Sequence, residues 1–574
     1  MKKRVLLAAS YSVIEPLGLL HLGGLARDIG YERSYHLVKD HNFEDFFKHL
    51  KDFKPNIIGF NVYTGNHIQL AEEFKRLKKD YPNIATVVGG PHPTYFPLDS
   101  KKYADYVVMS EGFGTFRKIL NNELEPGIYY MESSEKFPHP DRETFYSSYP
   151  EHGKSRIKSM ITMTGCPYRC TYCYNSSTTK DIKVSTEIAN KLAKTLGQKG
   201  RLFPHNVRTV EDVVNEGIEI AKNWPTEVIY FQDDVFGFDD KPKGMLDLMV
   251  QNWPEGVGLP YHAQMRFEMT KSERRLDMIR KSGGFGLTLA IESADYTIRK
   301  EVLDRAMPEE LMYDGMKLLI NFGFKIRTEQ ITGLPYGATS NKTNINLDAD
   351  LDLVKLNLDL REKTKGPTMA WASTFAPYAG TKLGIYSQIN GFYEHLDNFD
   401  VPDTFFDRSV LRFLKNWVGP EIKIKKDDKS LWLDNEELET YRNQNSELRR
   451  IFNLVTLIPK GYKLAESYLK NNKSYNYKRL GDEIEQHLTN LNEYSSLNIL
   501  NRIRDIREYI SSLDLQPLEI KQIKDLAPYF GVLPKGKLAI ERYINYGRLK
   551  GFSSKVLSDA TRHHLYDEVL YSID

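Results

Sequence analysis

Cysteine is almost absent from this sequence: of 574 residues only 3 are Cys, and Cys166, Cys170 and Cys173 all fall within eight consecutive positions. That scarcity excludes a disulfide framework and any second site built on thiolates. Long apolar runs are missing too. No stretch approaches the roughly 18 to 20 apolar residues of a membrane-spanning helix, and the best candidate in the C-terminal half, 451–458, is broken by Asn453 and Thr456. Nor does one sign of charge dominate. Against 79 Lys and Arg stand 77 Asp and Glu, a formal net charge of +2, so global electrostatics gives no reason to expect nucleic acid or a membrane surface as partner. The opening MKKRVLLAAS has the lysines and apolar run of a short secretion signal, but the run is only strand length and polar and proline residues follow. It reads as a first β-strand, and we expect a cytoplasmic protein, where thiolates stay reduced.

What is present is the composition of a globular chain, 41% hydrophobic and 27% charged, long enough for about three to four domains. Its chemistry concentrates in MTGCPYRCTYCYN, 163–175, where the cysteines are spaced CxxxCxxC. Three thiolates on one short loop can ligate three irons of a cubane cluster. The fourth iron then has no protein ligand and stays open to chemistry, as a catalytic zinc keeps one position open. A structural zinc site is the competing reading; three Cys without a nearby His make a poor tetrahedral set.

Upstream, apolar runs at 5–9, 57–62, 85–88 and 106–109 alternate with helical patterns at 16–29 and 67–79, the rhythm of βαβ units around a parallel sheet. Ligands of such sheets bind beyond the carboxyl ends of the strands. Glycine-bearing turns stand there: Pro16-Leu17-Gly18, Tyr63-Thr64-Gly65, Gly89-Gly90-Pro91-His92 and Glu111-Gly112. Glycine permits close approach of backbone to a large ligand. Residues 127–157 read as a proline-punctuated linker. From 158 to 391 six apolar runs (157–164, 227–231, 261–265, 286–291, 325–331 and 369–375) each end in polar residues, including Asp233 and Asp234, Arg266, and Glu292 with Ser293. Six such units predict a partial (β/α)6 barrel with chemistry at the carboxyl ends of its strands. Beyond 391 helical spacing takes over at 434–456, 478–494, 497–513 and 520–529.

The CxxxCxxC loop with Tyr172 before its last Cys resembles the signature of the radical S-adenosylmethionine enzymes. The PLGL, VGGPHPT and EG segments resemble the cobalamin-binding domain that precedes the radical module in one large subfamily. The resemblance implies an N-terminal Rossmann-like (flavodoxin-like) cobalamin domain over 1–126, the linker, a TIM-type radical barrel over 158–391, and a helical lid or substrate-selecting domain over 392–574. It implies one 4Fe-4S cluster on Cys166, Cys170 and Cys173, S-adenosylmethionine near Tyr172, Glu292, Ser293, Asp233, Asp234 and Arg266, and cobalamin near Pro16, Leu17, Gly18, Tyr63, Thr64, Gly65, Gly89, Gly90, His92, Glu111 and Gly112. Asp233 and Asp234 could equally cap the next helix. The DxHxxG motif that supplies a cobalt ligand elsewhere is missing, since Asp40-His41-Asn42 has the wrong spacing; cobalamin would then bind without a lower histidine. With no Cys outside the triplet, auxiliary clusters and a methylated-cysteine carrier are excluded.

The activity so implied is methyl transfer from methylcobalamin to an unactivated carbon after hydrogen abstraction by a 5'-deoxyadenosyl radical. The substrate would be a small molecule or peptide, and electrons would come from an external flavodoxin or ferredoxin. A non-methylating cyclisation, ring contraction or rearrangement is the alternative enzyme reading, and a non-catalytic cofactor-binding protein the alternative outside enzymes.

Overall fold

The structure, a computed structural model, describes residues 3–12, 14–39, 42–130, 136–178, 202–203, 205–335, 345–378, 380–393, 408–415, 427–471, 475–550, 552 and 556–557. The expected Asp40-His41 motif position lies outside them. Strands β1 (Arg4–Ser10), β2 (Glu32–Val38), β3 (Ile57–Asn61), β4 (Ala85–Gly89), β5 (Tyr106–Met109) and β6 (Gly127–Tyr130) form one parallel sheet in the order β2-β1-β3-β4-β5-β6. Val5 and Leu7 of β1 face a core shared with helix Leu17–Asp28, while Leu6 and Ala8 face one shared with helices Glu44–Phe53 and His67–Asp80. Covered on both faces, β1 is an unbroken apolar run, as interior parallel strands are. The strand order reverses at β1, and such a switch point leaves a crevice beyond the strand ends.

Two strands of this sheet carry little sequence signal. At one edge, β2 alternates side chains that are buried and half-buried, and its Arg33 pairs with Asp141 at 2.8 Å. The four-residue β6 falls in the segment expected to be linker, yet pairs in register with β5 from Tyr106↔Gly127 to Met109↔Tyr130.

The second sheet is also parallel. Its strands β7 (Ile157–Met160), β10 (Val228–Phe231), β11 (Tyr261–Met265), β12 (Gly284–Glu292), β13 (Lys325–Thr332) and β14 (Met369–Thr374) lie side by side in chain order. This is the expected partial barrel. Ile229, Phe231, Ala263, Leu287, Leu289, Ile326, Ala370 and Ala372 point outward into one apolar core beneath the surrounding helices. The expected strand at 157–164 stops at Met160; Met163–Thr164 (β8) instead pairs antiparallel with Asn206–Val207 (β9). C-terminal to the barrel, helices Asn435–Val455, Gly461–Lys470, Tyr477–Leu491, Tyr494–Ser511, Pro517–Lys524, Ala527–Val532 and Gly536–Lys550 follow. The first of these is capped by Asp434 in a reciprocal box with Glu437. It lies along the edge strand β14, where Asn445 accepts from Thr374 Oγ1 at 3.0 Å. No helix among the described residues is long and apolar enough to cross a membrane.

Candidate active site

The cysteine loop leaves the sheet at Met160 and is held by a carboxylate below it. Asp233, fully buried at the end of β10, accepts the N–H groups of Thr162 (2.9 Å) and Met163 (2.9 Å) and the Thr162 hydroxyl. Burial pushes its carboxyl up to about 7, with these donors pulling the other way. Asp233 was expected at S-adenosylmethionine or as a helix cap; the structure turns it instead onto the strand that launches the loop. Asp234 is exposed and faces Asn175, next to Cys173. Further along, Thr171 Oγ1 donates to Val302 O at 2.6 Å and Thr171 N to Leu303 O at 3.2 Å, while Ser177 Oγ donates to Gly380 O at 3.3 Å. The loop is thus stapled to segments that follow β12 and β14.

Around it gather charged groups. Arg266, after β11, donates to Cys170 Sγ at 3.0 Å, pairs with Glu268 and lies 3.8 Å from the centroid of the Tyr168 ring. Glu292 ends β12 at φ +69, at a shift of register; a non-glycine residue there stores about 1–3 kcal/mol of strain. The strained turn aims its carboxylate at the Tyr172 hydroxyl, 2.5 Å away. Burial pushes Glu292 up, and Arg305 and Tyr172 pull it back. Arg305, which the sequence did not single out, is the hub: it is buried, 3.7 Å from Glu292, 3.2 Å from Tyr172 Oη and 2.8 Å from Ala290 O, with Cys170 Sγ at 3.9 Å. Ser293 accepts from Asp295 N at 3.2 Å and borders a cavity of about 470 Å³ lined also by Asp295, Glu309, Leu334, Asp350 and Tyr441. Asp350, pushed up to about 6 by burial, accepts from Gly333 N, Tyr441 and Asn445, so the first C-terminal helix closes one side of the barrel mouth.

The three thiols suit a cluster better than a single ion. Among the described residues the group whose ligand atoms gather within 4.8 Å is His67, His92 and Asp99, and the cysteines form no such group. Burial pushes the Cys166 thiol up to about 11 and Cys173 up to about 12, and iron or the Arg266 charge beside Cys170 is the kind of partner that lets thiolates persist there. The His67 group is already occupied: His67 Nδ1 accepts from Gly65 N, His92 Nδ1 meets Thr64 Oγ1 at 3.1 Å, and His92 Nε2 faces Asp99 at 3.3 Å. Fully buried, and stacked on His67 at 4.0 Å, His92 shapes the turn after β4 from within.

The other expected cobalamin turns do stand at the strand ends. Pro16, Leu17 and Gly18 follow β1 and Tyr63, Thr64 and Gly65 follow β3, the two sides of the switch point. A Cβ at Gly18 would meet nothing within 4 Å, whereas at Gly90 (φ +100) it would fall 2.0 Å from Asn61 Oδ1. The first glycine is exposed, and the second packs against the end of β3. Gly89 ends β4 and Gly112 precedes helix Phe113–Leu120. Glu111 is turned away, accepting from Asn206 Nδ2 at 2.7 Å and Thr164 Oγ1 at 3.4 Å.

Those last contacts join the two sheets' mouths. Tyr95 Oη donates to Tyr174 O at 2.9 Å, and the Tyr174 ring lies between Tyr95 (5.2 Å) and Tyr378 (4.9 Å). On the opposite side Glu15, after β1, reaches Ser159 N of β7 and Arg142, which also pairs with Glu216.

Comparison with known proteins finds two family models. The family model for the B12 binding domain matches residues 3–120, and that for the Radical SAM superfamily residues 160–337. An uncharacterized methyltransferase of Pyrococcus horikoshii is 24% identical over 65% of this chain and 79% of its own length. The cytidylyl-2-hydroxyethylphosphonate methyltransferase of Streptomyces wedmorensis is 24% identical over 56% of this chain and 69% of its own. The fold resembles that of the radical S-adenosylmethionine methyltransferase TsrM from Kitasatospora setae, solved with cobalamin and a 4Fe-4S cluster, at a TM-score of 0.50 and 15% identity, covering 70% of this chain and 82% of that one.

Proposed function

Because this chain belongs to the B12-dependent radical S-adenosylmethionine enzymes, we propose that it is a methyltransferase that moves a methyl group onto an unactivated carbon of a small-molecule substrate. The observation that carries the reading is the face-to-face placement of the cysteine loop and the first sheet's crevice, joined through Tyr95, Tyr174 and Tyr378. When bound, a 4Fe-4S cluster with S-adenosylmethionine supplies a carbon-centred radical and cobalamin supplies a methyl group.

The chain's own part is position and exclusion of water. Cys166, Cys170 and Cys173 would hold the cluster, with Asp233 fixing the strand that presents them. Arg266 and Arg305 set positive charge beside Cys170. Glu292, with Tyr172 and Arg305 fixing its carboxylate, would accept hydrogen bonds from sugar hydroxyls of S-adenosylmethionine, and Ser293 would lie beside it. Pro16, Leu17, Gly18, Tyr63, Thr64, Gly65, Gly89, Gly90 and Gly112 would line the cobalamin crevice. Asp233, His92 and Glu111 already hold protein partners and would act by fixing the turns at the strand ends. The helical region from 392 would cover the mouth, as Tyr441 and Asn445 begin to do. We place the enzyme in the cytoplasm with an external one-electron donor.

Anaerobic protein incubated with reductant, S-adenosylmethionine and substrate tests the reading by its products. Methyl transfer yields S-adenosylhomocysteine together with 5'-deoxyadenosine. 5'-Deoxyadenosine alone would assign a rearrangement or cyclisation instead, and neither product would leave a non-catalytic protein.

A further inference from the structure

The outward faces of the barrel strands are mostly apolar, and the concave faces mix polar with apolar residues. Gln264, Ala290, Glu329, Ile331, Trp371 and Ser373 are half-buried while their neighbours along each strand are buried, the alternation of a sheet with one face open. Register places them in rows: Gln264↔Thr288↔Arg327 across three strands, and Ala290↔Glu329↔Trp371 one row nearer the cysteine loop. Gln264 Nε2 donates to Tyr230 Oη at 3.1 Å, and Arg327 lies against the same tyrosine. Arg327 Nη2 donates to Glu329 at 2.6 Å, with side-chain exposures of 10% and 25%, and its guanidinium lies 5.8 Å from the Trp371 ring centroid. Tyr230, His262, Gln264, Thr288 and Ser373 add neutral polar groups to this floor, Ala290, Ile331 and Trp371 add apolar surface, and at its upper rim Glu292 stands 3.7 Å from Arg305.

We infer that this floor is the substrate head-group site and that it takes a zwitterion, an ammonium and a carboxylate on one carbon as in a free α-amino acid. The inference rests on the methyltransferase reading above, which puts the substrate at the barrel mouth. Charge selects the class. A phosphate or other polyanion on Arg327 would sit beside Glu329, which Arg327 holds at 2.6 Å, and an isolated cation on Glu329 would sit beside Arg327; like charges at such range are disfavoured. A zwitterion meets both at once: its carboxylate lies on the planar guanidinium, which has five donors to distribute, and its ammonium lies on Glu329 and the Trp371 face. The rest of the molecule then runs past Ser373 and Ile331 toward Tyr378 and Tyr174, between the two cofactor sites.

Isothermal titration of the anaerobic holoenzyme with the proteinogenic L-amino acids, their N-acetyl and methyl-ester derivatives, and cytidine monophosphate tests it. At least one free amino acid should bind, and blocking either its amine or its carboxylate should weaken binding about tenfold or more. R327Q and E329Q should each do the same, with R327K weakened less than R327Q; circular dichroism checks their folding, and should R327Q not fold, E329Q and W371F carry the test. Binding of cytidine monophosphate with no amino acid bound, no binding by any amino acid, or unchanged affinity in the folded variants would overturn it. Wild-type cleavage of S-adenosylmethionine without amino-acid binding sinks this inference alone; amino-acid binding without cleavage sinks the methyltransferase reading alone.

Discussion

Replacing Arg142 by Met should loosen the seam between the two α/β units. Arg142 has no exposed surface; it donates to Glu15 (3.2 Å), Tyr146 Oη (2.8 Å), Ser159 O (2.6 Å) and Glu216, whose other oxygen pairs with Arg208. The methionine fills much of the volume but removes one cation from two buried carboxylates, leaving Glu216 to Arg208 and Glu15 to the neutral donors Tyr146 Oη and Ser159 N, and breaking such a buried pair on one side costs about 3–5 kcal/mol. The titration of Glu216 reflects the ionic group as a whole, with Arg208 contributing more than Arg142. Burial alone would raise it, but Arg208 and Arg142 hold it down to about 2 from its ordinary 4.5, which corresponds to about 3 kcal/mol at neutral pH. Since the folded value lies below the unfolded one, that stability is present above about 4.5 and is lost as pH falls toward about 2. A chain of several domains has no single unfolding free energy, so hydrogen exchange by mass spectrometry is the suitable assay. Peptides covering 14–20 and 157–164 should exchange about a hundredfold faster or more in Arg142→Met at pH 7, and in the wild type protection there should decline selectively below about pH 4.5. Unchanged protection in the variant would refute the claim that this ionic group fastens the two units.

Asp233→Asn replaces an acceptor facing three donors with a group that must present an amide N–H to them; we expect a cost of about 1–3 kcal/mol and clearly lower iron per chain after reconstitution. Tyr172→Phe removes the hydroxyl that fixes Glu292 and should weaken S-adenosylmethionine binding several-fold, measured by equilibrium dialysis, with cluster content unchanged. Gly380→Ala puts a Cβ 2.1 Å from the Tyr95 ring at φ +88; product formation should fall more than cobalamin or iron content, because the junction between the sites is displaced.

What could be read in the sequence follows from how local its cause is. The cysteine loop, the six barrel strands and the turns flanking β1 and β3 declare themselves through residue identity and apolar runs. The edge strands β2 and β6 do not, because most of their residues (Glu32, Arg33, Ser34 and His36; Gly127, Ile128 and Tyr129) are only half-buried, so no unbroken apolar run marks them. Helices Gly461–Lys470 and Gly536–Lys550 lie outside the expected helical stretches, and the expected helix at 520–529 is two, Pro517–Lys524 and Ala527–Val532. Arg305 could not be assigned a partner, since Tyr172, Cys170 and Glu292 meet it only through the segment after β12. For the same reason the partners of Asp233, Glu111 and His92 are not legible in the sequence: each stands at a strand's carboxyl end, and its hydrogen bonds come from residues remote in the chain.

The central claim is that two cofactor sites serve one methyl transfer. It is tested most directly by loading anaerobic protein with iron, sulfide and cobalamin and supplying S-adenosylmethionine with a deuterated methyl group. The account predicts about four irons and one cobalamin per chain, S-adenosylhomocysteine and 5'-deoxyadenosine in equal amounts, and the deuterated methyl in the product. Zinc in place of iron, no cobalamin under saturating supply, or 5'-deoxyadenosine with no S-adenosylhomocysteine would contradict it.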